Sequence, residues 1–213
     1  MKLISIFRYV VYLVVAFGLS SANAGAYEDW FSAIETDNAA AVTRLMQAGF
    51  DPNTRNPQGQ VGLYLALQTG GPKVADALWA HPALDVDAAN VQGETPLMMA
   101  ALKGRLAWAQ RLLDRGAKPD REGWSPLHYA ATGPEPKIVE LLLARGAALE
   151  ARSPNGSTPL MMAARYGSET SVELLLARGA HARLRNDQGL DAAAFARAEG
   201  RDKLATRLAG AGR

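Results

Sequence analysis

The chain has 213 residues, of which 48% are hydrophobic, enough for one or two ordinary domains with a buried core. It has no cysteine, which excludes disulfides, thiolate metal sites and cysteine nucleophiles. The formal net charge of +2 comes from Lys2 and Arg8, because the rest of the chain carries 21 basic and 21 acidic residues. A global electrostatic attraction to nucleic acid is therefore unsupported.

The first 24 residues predict a signal peptide. Two cations precede an apolar run over residues 9–19, and Ala22-Asn23-Ala24 has the pattern after which a signal peptidase cuts. The alternative is an uncleaved anchor, but the run is shorter than the ~20 residues of a membrane span. We therefore expect cleavage after Ala24 and export of residues 25–213, free of the membrane, to a bacterial periplasm. The lack of cysteine is consistent with an oxidising compartment.

The mature part of the chain is periodic. Marker glycines stand 34, 30, 33 and 33 residues apart, a period typical of a solenoid, at Gly59, Gly93, Gly123, Gly156 and Gly189. They predict one domain with about six units, over residues 27–55, 56–89, 90–119, 120–152, 153–185 and 186–213.

Each unit predicts two helices followed by a finger. A hydroxyl N-cap and a proline begin the first helix, at Thr95, Ser125 and Thr158. Paired alanines follow and allow a close approach of the neighbouring unit. The second helix carries a leucine block and ends in Arg-Gly-Ala, where glycine suits a left-handed cap. About ten residues then lead to the next N-cap, enough for an extended hairpin.

The segments "GETPLMMAALKG…RLLDRGA", "GWSPLHYAATG…IVELLLARGA" and "GSTPLMMAARYG…SVELLLARGA" resemble the ankyrin repeat. Weaker copies over residues 29–53, 59–83 and 189–212 extend the resemblance over the whole mature chain. The resemblance implies an all-α solenoid of about six helix-turn-helix units with short β-hairpin fingers, and atypical units at both ends. It also implies a monomeric, non-catalytic scaffold that binds a protein partner through its concave face.

Three departures from the pattern predict local changes. Met98 and Met161 stand where His128 stands in the fourth unit, so we expect them to lose a bracing hydrogen bond and keep the packing. The finger from Gly116 to Gly123 is three residues shorter than its successor, which predicts a notch in the concave rim. The second unit lacks the terminal glycine and should be the least regular.

Little in the chain predicts chemistry. His81, His128 and His181 lie in different repeats, and phosphate-binding glycine motifs are absent from the sequence. Asp85 and Asp87 could form a carboxylate pair for a metal or small ligand, but solvated finger residues are the favoured interpretation. We therefore expect no enzyme activity, no cofactor and no metal site.

Groove-facing positions that the repeat leaves free are the candidate protein-binding residues: Gln92, Glu94, Lys103, Arg121, Glu122, Trp124, Asn155, Arg165 and Tyr166. Trp124 takes the position before the N-cap, whereas Trp30, Trp79 and Trp108 have core positions. It is either an exposed anchor for a partner or a filler of the shortened finger, and the sequence leaves both open.

The remaining charges do not identify a partner. An arginine precedes each capping glycine, at Arg115, Arg145 and Arg178. The helix dipole stabilises a cation at the end of a helix, which explains these residues. The alternative is a basic stripe that binds an acidic partner. Nearby acids argue against nucleic acid. The resemblance allows two roles: an accessory partner of a periplasmic enzyme, for example in oxidative-stress defence, or an immunity protein that occludes a toxin.

Overall fold

The computed structural model describes residues 21–211, without the side chains of residues 21–24. Over these residues the chain forms twelve helices, which we number in order: α1 Ser21–Glu35, α2 Ala39–Gln47, α3 Gly62–Thr69, α4 Pro72–Trp79, α5 Pro96–Leu102, α6 Leu106–Asp114, α7 Pro126–Thr132, α8 Pro136–Ala144, α9 Pro159–Tyr166, α10 Glu169–Ala177, α11 Ala192–Ala198 and α12 Asp202–Gly210. The helices come in six pairs, and the predicted all-α solenoid is confirmed.

Most of the predicted signal peptide lies outside the described residues. Its last four residues belong to α1, whose described range Ser21–Glu35 includes residues ahead of the predicted first unit. Over residues 21–211, none of the helices combines the length and the apolar character that crossing a membrane requires.

Helices α5 and α9 begin as the sequence predicts, whereas the Ser125 hydroxyl does not cap α7 and lies 2.9 Å from His128 Nδ1 instead. The Thr95 hydroxyl accepts a hydrogen bond from the Met98 N–H at 3.3 Å, and Thr158 does the same for Met161. The methionine sulfurs in turn accept from the threonine N–H groups at 3.4 Å. The methionines therefore keep a bracing hydrogen bond that the sequence did not predict. It is weaker than the bond of a histidine nitrogen, because sulfur is a weak acceptor.

The second helices end in glycine caps, of which Gly116 is an example with φ 93°. Beyond it, the Ala117 N–H donates to the Leu112 carbonyl at 2.9 Å, as in a Schellman ending. The second unit has Pro82 in place of glycine, and Arg115 of the next unit instead donates to the carbonyls of Trp79 at 2.6 Å and His81 at 2.9 Å.

The core runs the length of the solenoid between the two rows of helices. The first helices contribute fully buried leucines and alanine pairs, and the second helices contribute a second row of buried leucines: Leu97, Leu127, Leu160, Leu112, Leu142 and Leu175. Each unit buries its apolar side against its neighbours, so a single pair of helices would leave its core exposed.

The predicted fingers are hydrogen-bonded turns with almost no regular strand. An N–H at the start of the turn donates to the carbonyl four residues later at 2.9–3.0 Å, in the fingers that contain Asn56, Asn90, Ser153 and Asn186. In the described residues, an isolated bridge from Arg55 to Val61 is the only β pairing. The shortened finger has no such bond between Asp120 and Trp124, so the bond that closes the other fingers is interrupted beside α7, and the notch in the rim stays a prediction.

Candidate functional site

The fingers and the first helices of the pairs form one face of the solenoid, which we call the inner face. It contains a cavity of about 210 Å³, which we call the Trp124 pocket. Its lining comes from the end of α5, the residue before the N-cap of α7, α7 itself and α9: Leu102, Trp124, His128, Tyr129, Thr132 and Met162. The pocket therefore spans three successive units at the interrupted finger.

Trp124 is half-buried and forms a wall of this pocket. Its ring meets the His128 ring edge to face, with ring centroids 5.3 Å apart. The side chain thus packs against His128 and also presents a surface to the pocket. Whether Trp124 is an anchor for a partner or fills the shortened finger stays a prediction.

His128, against which the Trp124 ring packs, is buried. Its Nδ1 accepts from the Ser125 N–H at 3.1 Å and lies 2.9 Å from the Ser125 hydroxyl, so its Nε2 carries the hydrogen. That Nε2–H donates to the Ser157 carbonyl of the next unit at 3.0 Å. Burial lowers the pKa of His128 and outweighs the hydrogen bond to Ser157, which raises it.

Glu94 lies on the other side of Tyr129 and is held by residues from three units. Its Oε2 accepts from the Tyr64 hydroxyl at 2.7 Å and from Asn90 Nδ2 at 2.8 Å. Its Oε1 accepts from the Tyr129 hydroxyl at 2.8 Å. We call these four residues the Glu94 cluster, which links α3, the second finger and α7.

The electrostatics of the cluster favour a charged carboxylate. Burial acts to raise the pKa of Glu94, but the hydrogen bonds from Asn90, Tyr64 and Tyr129 together lower it below its ordinary value. Burial, followed by the bond to Glu94, raises the pKa of both tyrosine hydroxyls. The cluster is therefore an anion held by neutral donors at neutral pH.

Arg165 and Tyr166 form a second feature of the inner face at the end of α9. Arg165 Nε donates to Glu199 Oε1 at 2.7 Å, and its guanidinium lies 4.8 Å from the Tyr166 ring centre. Tyr166 is 53% exposed and is the largest exposed aromatic side chain in the described part of the chain. A partner on this face would meet an aromatic ring whose neighbouring cation is already paired.

The other predicted residues lie apart from the pocket or on its rim. Gln92 and Asn155 are at finger tips, where each is hydrogen-bonded within its own finger. Lys103, Arg121 and Glu122 are exposed. A Cβ placed on Gly93 would lie 3.6 Å from the Arg121 guanidinium, so that side chain reaches the preceding finger.

The second helices form the opposite face, where Trp79 and Trp108 are half-buried rather than fully buried like Trp30. Arg111 covers both rings, 4.9 Å from the centre of Trp79 and 3.9 Å from that of Trp108. Arg145 bonds to Asp114 of the preceding unit at 2.7 Å. These tryptophans and arginines therefore already contact side chains of neighbouring units.

The residues considered for metal or acid–base chemistry have local roles. Asp85 accepts from the Asp87 N–H at 2.9 Å, and Asp87 accepts from the Lys118 N–H at 3.1 Å. His181 contacts Glu150 at 3.1 Å, and His81 accepts from a backbone N–H two residues away. Between residues 21 and 211, histidine and carboxylate side chains do not cluster in threes that could hold a metal ion.

Sequence reasoning missed Tyr64 and Tyr129 as parts of the site. Tyr64 occupies the His128 position of its unit and, like His128, bonds forward to the next unit. Tyr129 occupies a position held by Met99 and Met162 in neighbouring units. A hydroxyl at a position otherwise taken by thioethers was the available signal, because a partly buried hydroxyl needs a partner.

A family profile of ankyrin repeats in three copies matches residues 30–122 and again residues 118–186, more than half of the chain. The protein belongs to the ankyrin repeat family. Ankyrin repeats typically mediate protein–protein interaction and generally act as non-catalytic scaffolds.

Several curated proteins are similar to this ankyrin chain over about half its length. The human transient receptor potential cation channel subfamily A member 1 is 30% identical over 54% of the chain and 10% of its own length. Mouse ankyrin repeat and SAM domain-containing protein 6 is 31% identical over 50% of the chain and 13% of itself. Human SH3 and multiple ankyrin repeat domains protein 1 is 33% identical over 58% of the chain and 6% of its own length. The chain thus matches only a small part of each relative.

Proposed function

We propose that the protein is a non-catalytic scaffold that binds a partner protein through its inner face, with Trp124 as the central contact. The observation that carries this proposal is the apolar Trp124 pocket, which opens at an interrupted finger on the face where ankyrin repeats present variable side chains. Large aromatic side chains in such central pockets dominate interface energies. The exposed Tyr166 extends the same surface by one unit.

The opposite face offers a weaker case for binding. Its tryptophans are covered by Arg111, and Arg115 and Arg145 bond to the preceding units. Its open depression is lined half by leucine and alanine side chains and half by charged and polar ones, which include Lys137, Glu140 and Arg178. Because buried charges are depleted at the cores of protein interfaces, the inner face is the favoured binding surface.

Site-specific photocrosslinking tests this proposal. A photoreactive phenylalanine analogue at position 166 would be compared with the same residue at Lys137, which is exposed on α8 of the opposite face. In the source cells we expect a discrete adduct from position 166 and none from position 137. Adducts from position 137 alone would contradict the proposal.

Trp124→Ala then tests the anchor with the partner identified by that adduct. We expect a loss of affinity of about 30-fold, which corresponds to about 2 kcal/mol for a central tryptophan. Trp108→Ala is the matched control, since it removes another half-buried tryptophan from the opposite face. Both variants would be compared below their melting temperatures, and equal binding by Trp124→Ala and the wild type would remove Trp124 from the interface.

We also propose that the protein acts after export, as an accessory partner of a periplasmic enzyme; the immunity protein of a toxin is the alternative. The charged start, short apolar run and Ala22-Asn23-Ala24 site of the sequence support export. N-terminal sequencing of the protein from a periplasmic fraction should begin at Gly25. Recovery of the intact N-terminus from the cytoplasm alone would contradict export, and the crosslinked partner would distinguish an enzyme from a toxin.

A further inference from the structure

The Glu94 cluster holds a negative charge that the protein itself does not neutralise with a cation. The ion pairs among residues 21–211 do not include Glu94, and its three bonded neighbours are an amide and two phenols. A carboxylate offers about four lone-pair positions. Three donors therefore leave capacity for about one further donor.

The cluster and the Trp124 pocket share one residue. Tyr129 donates its hydroxyl to Glu94, and its side chain also lines the pocket beside Trp124. Glu94 is not part of the lining, so a long side chain in the pocket would reach the carboxylate by extending along the Tyr129 ring to its hydroxyl. The pocket volume of about 210 Å³ is enough for one long side chain.

The pocket walls select for a particular kind of side chain. Leu102 and Met162 provide aliphatic surface, while Trp124 and Tyr129 provide aromatic rings. Aromatic faces attract an ammonium or guanidinium group, and the aliphatic stem of lysine or arginine packs on apolar surface. A neutral apolar side chain would fill the same volume but would leave Glu94 without a counter-charge as the interface closes over it, which is costly for a desolvated anion.

We infer that the Trp124 pocket receives a lysine or arginine side chain of the partner protein, with the stem against Leu102 and Met162 and the cationic group directed to Glu94. This assignment rests on the proposed function, because it names the chemistry that the same inner-face site recognises. It places the specificity of the site in Glu94 and leaves the apolar contact to Trp124.

The test uses blocked single amino acids, which separates this inference from the existence of a natural partner. The N-acetyl N-methylamides of arginine, lysine and norleucine would be titrated into the purified protein. Binding would be followed by the indole N–H resonance of Trp124, assigned with Trp124→Phe. Norleucine matches the lysine stem without the charge, and we expect the better of the two cations to bind about two- to fivefold more tightly, as one exposed charge pair with Glu94 allows.

Glu94→Gln should remove most of that preference, whereas Glu173→Gln, which removes an exposed carboxylate from α10 on the opposite face, should retain it. Melting curves would verify that both variants are folded. In the wild type the preference should also shrink between about 0.1 M and about 1 M salt, because the Debye length falls from about 10 Å to about 3 Å.

Equal binding of norleucine and the cations would overturn the inference, as would the absence of any shift at Trp124 with all three probes. Either result is compatible with crosslinking from position 166. A failure of the cation site is therefore distinguishable from a failure of the scaffold proposal, which would appear as a lack of crosslinks from the inner face.

Discussion

Tyr64→Phe should destabilise the solenoid, because it removes one of the bonds that tie three units together through Glu94. The Tyr64 ring is 2% exposed and would keep its packing, so only the 2.7 Å hydrogen bond to the carboxylate is lost. Hydrogen bonds to charged groups contribute about 1.5–3 kcal/mol. Because Glu94 is half-buried and water can replace the hydroxyl, we expect a loss near the lower limit, about 1.5 kcal/mol.

Thermal and urea unfolding followed by circular dichroism would measure this change. For a protein of this size, a loss of about 1.5 kcal/mol lowers the melting temperature by about 3–6 °C. Tyr166→Phe is the matched control, since Tyr166 is mostly exposed and surface changes cost within about 0.5 kcal/mol. Tyr64→Phe with Tyr129→Phe should be non-additive, because both hydroxyls bind one carboxylate.

The pH dependence gives an independent measurement on the same cluster. The pKa of Glu94 is lower in the native state than in the unfolded state, so the unfolded state takes up its proton first as the pH falls. The stability that Glu94 contributes is therefore present above about pH 4.3, the ordinary glutamate pKa, and is lost below it. Glu94→Gln should lack this part of the acid destabilisation. A Tyr64→Phe variant as stable as the control, or unchanged acid destabilisation in Glu94→Gln, would refute the reasoning.

Three further predictions concern stability. Burial lowers the pKa of His128, so wild-type stability should fall as the pH drops below about 6.5, where the unfolded state takes up the proton. His128→Met should lose this pH dependence in urea titrations. Identical pH profiles of the variant and the wild type would contradict the prediction. Gly133→Ala places a Cβ in a clash with the Ala101 carbonyl oxygen and should cost more than about 2 kcal/mol. Gly210→Ala is the control, because its Cβ meets nothing within 4 Å and should not destabilise; similar melting temperatures of the two variants would exclude the clash. Arg201 donates to three carbonyls at the end of α9, so Arg201→Met should accelerate amide exchange in α11 and α12, and unchanged exchange would show that these bonds do not hold the last unit.

The repeat made much of the fold predictable. Thr95 and its equivalents, the following prolines and the terminal glycines each act on their own backbone, so their effect depends on local sequence alone. The same logic predicted the core role of Trp30, which the structure confirms. It also predicted core positions for Trp79 and Trp108, which are only half-buried. Part of their surface is covered by Arg111, which contacts both rings from one unit.

The candidate site was predictable only in part for a related reason. Trp124 stood out, and Glu94 was among the candidates, because both occupy positions that the repeat leaves free. Their surroundings depend on residues about 30 positions away, such as Tyr64 and Tyr129 on either side of Glu94. A periodic sequence shows which positions vary from unit to unit. It does not show which side chains of neighbouring units contact each other.

The sequence by itself determined the period, the helix ends and the solenoid class, because capping, helix breaking and apolar periodicity are short-range effects within one unit. The tertiary structure decided how neighbouring units share side chains. It placed Trp124 against His128, opened a pocket beside the shortened finger, and gathered two distant tyrosines onto one carboxylate. The physical reason is that burial and charge depend on what the next unit contributes, and that becomes defined only when the units stack.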